Sequence, residues 1–84
     1  MQVVLWQFPE SDFAAWCELV AMPEVASYAA YLSLLAAVQA DQERQGCQVV
    51  RARFTVAEMR DGLTAAGFEN TPDNRAAIAA MRAT

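Results

Sequence analysis

Between residues 25 and 40 the chain carries no charged side chain. At about 100° per residue, Val25, Tyr28, Tyr31, Leu32, Leu34, Leu35 and Val38 fall on one half of a helical cylinder. Ala26, Ala29, Ala30, Ser33, Ala36, Ala37 and Ala40 fall on the other half. Within this second set Ala26, Ala30, Ser33, Ala37 and Ala40 alternate steps of four and three residues, the heptad rhythm of a helix-packing seam. Large apolar side chains fill a core, whereas a stripe of alanine and serine lets another helix backbone come close. A helix apolar on every side has to be covered on every side. The expected cover is the small-residue stripe Ala76, Ala80 and Ala83 near the end of the chain. The alternative is the same seam on a second copy, an isologous contact, so a homodimer is one expected state.

The flanking pattern divides into short elements. Residues 2–8 (QVVLWQF) read as a strand buried on both faces. Ser11 is a good N-cap for a helix over 12–21, where Phe13, Trp16, Cys17 and Val20 recur at helical spacing. Pro23 fits the first position of the long helix, which is expected to run to about Gln45. Gly46 supplies a left-handed terminator, and Arg44 suits the negative end of the helix dipole. Residues 47–54 (CQVVRARF) read as a second strand, with Val50, Ala52 and Phe54 on one side and Arg51 and Arg53 on the other. Thr55 and Glu58 match the capping box of a third helix, with Val56, Met59, Leu63 and Ala66 as its buried stripe and Gly67 as its end. Gly62 inside that helix costs about 1 kcal/mol relative to alanine. Thr71 and Pro72 open a last helix running to about Arg82.

These elements predict an α+β fold, predominantly helical, with about four helices and a small two-stranded antiparallel sheet. Residues 1–84 are expected to form one domain, near the size at which one core is only just sufficient. The chain is 56% apolar, which argues against disorder. Much of that fraction is alanine, so Trp6, Phe8, Phe13, Trp16, Tyr28, Tyr31, Phe54 and Phe68 are expected to supply a large share of the core.

Charge and chemistry narrow the function classes. The net charge is −4, with no histidine, and every basic residue is an arginine. The first fifty residues hold Glu10, Asp12, Glu18, Glu24, Asp41 and Glu43 against Arg44 alone. Such an acidic half is repelled by phosphate and suits a basic protein surface, so these six are candidate partner-binding residues. The same side chains also serve as ordinary solvated helix residues. Without histidine or lysine the usual general bases and Schiff-base chemistry are missing. Cys17 and Cys47 are too far apart for a C-x-x-C pair and read as reduced thiols. No catalytic residue, cofactor or metal is expected. No stretch reaches the ~20 apolar residues of a membrane span, and no basic leader precedes residues 9–12. A cytoplasmic location and no membrane partner are expected.

The segment 55–82 has the outline of a helix-turn-helix. Arg60, Asn74 and Arg75 are its candidate DNA contacts, although Asp73 and Glu69 sit beside them and no basic stripe accompanies them.

The tail Gly67-Phe68-Glu69-Asn70-Thr71-Pro72-Asp73-Asn74-Arg75-Ala76-Ala77-Ile78 resembles the endings of small accessory proteins from phages and prophages of high-GC bacteria. The resemblance covers the last third of the chain and implies a mobile-element origin. Proteins of that kind, anti-CRISPR proteins among them, bind and disable a host or defence protein. The resemblance carries over no individual functional residue. The expected function is stoichiometric inhibition of such a protein inside a bacterial host. The alternatives are a DNA-binding regulator, with nucleic acid as partner only in that case, and a virion structural or assembly protein.

Overall fold

A computed structural model describes residues 1–21 and 23–83. Its elements are β1 (Gln2–Gln7), a 3-10 turn (Glu10–Asp12), α1 (Phe13–Val20), α2 (Tyr28–Arg44), β2 (Gln48–Arg53), α3 (Val56–Ala66) and α4 (Pro72–Arg82). The predominantly helical α+β class holds, with four α-helices and a two-stranded sheet among the described residues. The strands, however, are parallel, not antiparallel: Gln2 lies opposite Gln48 and Gln7 opposite Arg53.

The direction follows from what the connection does between the strands. α1 has only eight residues and stays at the far end of β1. α2 has seventeen residues, about 26 Å of helix, and it alone makes the return journey. At its start the Tyr28 hydroxyl donates to the Phe8 carbonyl just beyond β1, at 2.6 Å. Its other end leads through Gly46, at φ +86°, to Gln48, whose N–H donates to the Met1 carbonyl at 2.9 Å. One traversing helix delivers the second strand at the same end as the first, and the pair is then parallel.

Local signals explain most of the boundaries. At α3 the Thr55 hydroxyl accepts from the Glu58 N–H at 3.1 Å while Glu58 accepts from the Thr55 N–H at 2.9 Å. Gly67 ends that helix in the left-handed region at φ +70°. Thr71 caps α4 by accepting from the Asn74 N–H, and Pro72 takes the first turn. Two expected starts are corrected. α2 begins after Ser27, not at Pro23, because the Ser27 hydroxyl accepts the Ala30 N–H at 3.1 Å, a bond that proline cannot supply. Ala26 therefore lies before the helix. Ser11 does not cap α1; it lies in the 3-10 turn, and Asp12 occupies the N-cap position without a side-chain bond to the helix.

The core is an aromatic stack across the sheet and the helices. Phe8 is fully buried and meets the rings of Trp6, Trp16, Tyr28 and Tyr31 at centroid distances of 5.4, 5.2, 5.5 and 4.6 Å. Trp6 stacks on Phe54 at 5.2 Å and donates its indole N–H to the Phe54 carbonyl at 3.0 Å. Each such ring pair adds about 0.5–1.5 kcal/mol beyond the area it buries. Phe68 is the exception among the eight aromatics: it is exposed, just past the Gly67 turn. Ala66 is exposed as well, so the buried stripe of α3 is Val56, Met59 and Leu63. Strand β1 is buried at Trp6 and half-buried along 3–5 and at Gln7, short of full burial on both faces.

α4 packs on α3 and over both strands through Ile78 and Ala79. Ala76 and Ala80 face solvent, so the small-residue stripe of α4 does not cover the seam of α2. Gly62 has a packing reason of its own: a Cβ there would lie 2.9 Å from Cγ2 of Ile78.

Candidate interaction surface

The α2 seam faces outward. Ser33, Ala37 and Ala40 are exposed, Ala30 is half-buried, and Ala29 and Ala36 beside them are exposed too. The opposite side carries Tyr31 and Leu35 into the core. Tyr31 is anchored there by donating its hydroxyl to the Trp6 carbonyl at 2.6 Å. Burial, with Tyr28 close by, pushes the Tyr31 phenol up to about 12. Leu34, grouped with the core residues by the helical pattern, is 42% exposed. It sits about 90° from the centre of the buried side, on the border with the seam.

The six acidic candidates do not form one patch. Glu10, Glu18 and Glu24 are exposed on the 3-10 turn, α1 and the connection before α2, and Asp41 and Glu43 are exposed near the end of α2. Asp41 is held by Arg44 and Gln45, both at 3.0 Å. Asp12 has a structural role: its carboxylate accepts the Val56 N–H at 2.8 Å and ties the start of α1 to the N-terminus of α3. Negative charge at that helix end also complements the dipole.

The DNA-contact candidates divide in the same way. Arg60 is exposed. Asn74 donates its side-chain amide to the Glu69 carbonyl at 2.9 Å, closing the turn before α4. Arg75 donates to the Asn70 side-chain oxygen, and Asn70 in turn donates to the Leu19 carbonyl at 2.7 Å. That relay fastens the end of α1 to the start of α4. Burial lowers the pKa of the Arg75 guanidinium from its ordinary value. Arg51, on the strand face toward α2, is spent on Gln39 at 3.0 Å and Gln7 at 3.2 Å.

Beside the seam a cleft of about 270 Å3 opens between α1, the connection before α2, Leu34 and the start of α4. Its floor and walls include Trp16, Val20, Val25 and Pro72, with Glu24 and Arg75 also lining it. Sequence reasoning did not find this cleft. It depends on contacts between residues more than fifty positions apart, such as Leu19 and Asn70. The one legible signal was Leu34, a large residue at the edge of an alanine face. Cys17 and Cys47 are free and half-buried. No group of three or more His, Cys, Asp or Glu side chains among the described residues gathers where it could hold a metal ion. No described helix is long and apolar enough to cross a membrane. The chain matches no protein-family model, no curated protein and no solved structure.

Proposed function

We propose that this chain acts by stoichiometric binding of another protein, with the outer face of α2 as the contact surface. The observation that carries the reading is the outward seam: no charge from Tyr28 to Ala40, with Ser33, Ala37 and Ala40 exposed. Alanine side chains let an incoming backbone approach closely and lose almost no rotamer freedom on contact. Glu24 before the helix and Glu43 at its end, where Arg44 already pairs with Asp41, place negative charge at both ends of this neutral strip. A partner with basic residues spaced to flank an apolar ridge complements it. The most concrete form is an inhibitor of a host or defence protein of the anti-CRISPR kind, which rests on the resemblance of residues 67–78. The closure of Asn74 onto the Glu69 carbonyl and the absence of a basic stripe beside Arg75 give no support to base reading by α4.

The test is affinity capture from a bacterial lysate, comparing the wild type with Ala37→Arg and Arg60→Ala. Ala37→Arg places a long cation on the exposed seam without touching the core. The expected result is a stoichiometric partner held by the wild type and by Arg60→Ala and lost with Ala37→Arg. A partner that Ala37→Arg retains in full removes the seam as the contact. Retention of one DNA sequence, lost with Arg60→Ala, overturns protein binding altogether. Sedimentation of the same variants identifies a second copy as the occupant if the wild type is dimeric and Ala37→Arg monomeric.

A further inference from the structure

The cleft beside Leu34 sets a cation without an ion-pair partner among the described residues against an apolar wall. Arg75 is half-buried, yet among the described residues no carboxylate lies within ion-pair distance of it. Of the five N–H groups of a guanidinium, one is bonded to the neutral Asn70 amide, and the others find no acceptor among the described residues. Trp16, in the same cleft, is 9% exposed, and its indole N–H has no protein partner among the described residues and opens to solvent. The other tryptophan, Trp6, is satisfied by Phe54. A cation that has lost part of its water beside an apolar wall gains most from an anion that brings its own apolar body. The lowered pKa of Arg75 has that same cause, burial.

We infer that the cleft is a binding site for an apolar monocarboxylate, presented as the C-terminal residue of a partner peptide. The carboxylate pairs with the Arg75 guanidinium. A branched aliphatic or aromatic side chain lies against Trp16, Val20 and Val25, and the preceding residues leave past Leu34 onto the outer face of α2. Glu24, lining the same cleft, repels a second carboxylate and so selects against dicarboxylates. A volume of about 270 Å3 suits one side chain with its terminal group and is small for a larger organic ligand. The direction of exit rests on the reading of α2 as a docking face; the pairing with Arg75 does not.

The test uses the intact chain, labelled with nitrogen-15, and follows its two indole N–H signals. N-acetyl-leucine is the first probe, N-acetyl-leucinamide its neutral control, and a hexapeptide ending in leucine the second probe. N-acetyl-leucine is expected to move the Trp16 signal saturably with a Kd of about 1–10 mM, leaving the Trp6 signal in place. The amide is expected to bind at least tenfold more weakly. The hexapeptide is expected to bind at least tenfold more tightly than N-acetyl-leucine, an advantage that Ala37→Arg removes. Arg75→Gln is expected to abolish the preference for the carboxylate. Leu34→Glu, at an exposed position, does so by repulsion and covers the case in which Arg75→Gln unfolds the α1–α4 junction. No Trp16 shift with either probe, or equal shifts for acid and amide, overturns the site. A hexapeptide no tighter than N-acetyl-leucine overturns the chain-end assignment. A hexapeptide advantage unaffected by Ala37→Arg removes the α2 exit while the Arg75 pairing stands.

Discussion

Gly62→Ala sets two local effects of known size against each other. Helix propensity favours the change: alanine inside α3 gains about 1 kcal/mol over glycine. Packing opposes it, because the new Cβ would lie 2.9 Å from Cγ2 of Ile78, with Cδ1 and Cγ1 of the same residue at 3.6 and 3.8 Å. Ile78 has little room to yield. It is 2% exposed, and Cγ2 is a branch methyl fixed by χ1, not the end of a flexible chain. Overpacking of this kind costs about 1–3 kcal/mol, so the expected net change is a loss of about 1 kcal/mol. For a chain of this length that corresponds to a fall in Tm of about 4–8 °C, measurable by thermal melting and by the urea midpoint. Ile78→Leu removes the branch methyl, and on its own it costs less than about 1.5 kcal/mol. In the double variant the propensity gain is released and the two changes couple favourably by about 1–2 kcal/mol. A Gly62→Ala protein more stable than wild type, or a double variant that is merely additive, refutes close α3–α4 approach as the reason for this glycine.

Three other perturbations test separate joints of the fold. Tyr31→Phe leaves the Trp6 carbonyl without its 2.6 Å donor in a buried setting and is expected to cost about 1–3 kcal/mol, read from urea unfolding. The same residue makes the wild type lose stability as pH rises from 10 toward 12: the unfolded phenol releases its proton near 10.0 while the folded one keeps it to about 12. Ultraviolet titration is expected to show one late phenol that Tyr31→Phe lacks. Asp12→Ala removes the acceptor 2.8 Å from the Val56 N–H and is expected to cost about 1 kcal/mol, most of it recovered in Asp12→Asn. Ala21→Gly relieves a non-glycine residue at φ +63° and is expected to raise stability by up to about 1 kcal/mol, visible as a higher Tm.

What the sequence made legible was local. The Thr55–Glu58 capping box, the Thr71–Pro72 helix start and the Gly67 terminator each involve residues within a few positions, and the structure has all three. The strand direction was not legible, because nothing near either strand encodes it. It depends on α2 making the only full traverse, with Tyr28 pinned to Phe8 at one end. The start of α2 was misplaced for a related reason. Pro23 and Ser27 are both acceptable helix openers in isolation, and the bond from Ala30 decides for Ser27. The acidic candidates looked equivalent in the sequence, but Asp12 is drawn inward by a helix end forty-four residues away. The seam was legible as a pattern; its orientation was not, because small residues pack equally well against the same chain or a different one.

The two tyrosine hydroxyls of α2 also bear on which border of the sheet a neighbouring strand could reach. The Gln48 N–H bonded to Met1 sets the alternation along β1, so the Trp6 carbonyl points away from β2, and with the Phe8 carbonyl just beyond the strand it lies under the tyrosines of α2. Those are acceptors that a foreign strand would need to extend the ladder, and Tyr31 and Tyr28 already occupy them. The C-terminal half of that border is thereby closed to β-augmentation, the commonest route by which small exposed sheets recruit neighbours. Because Tyr31 and Phe8 are themselves buried, a foreign strand reaches these carbonyls only after α2 has been lifted away.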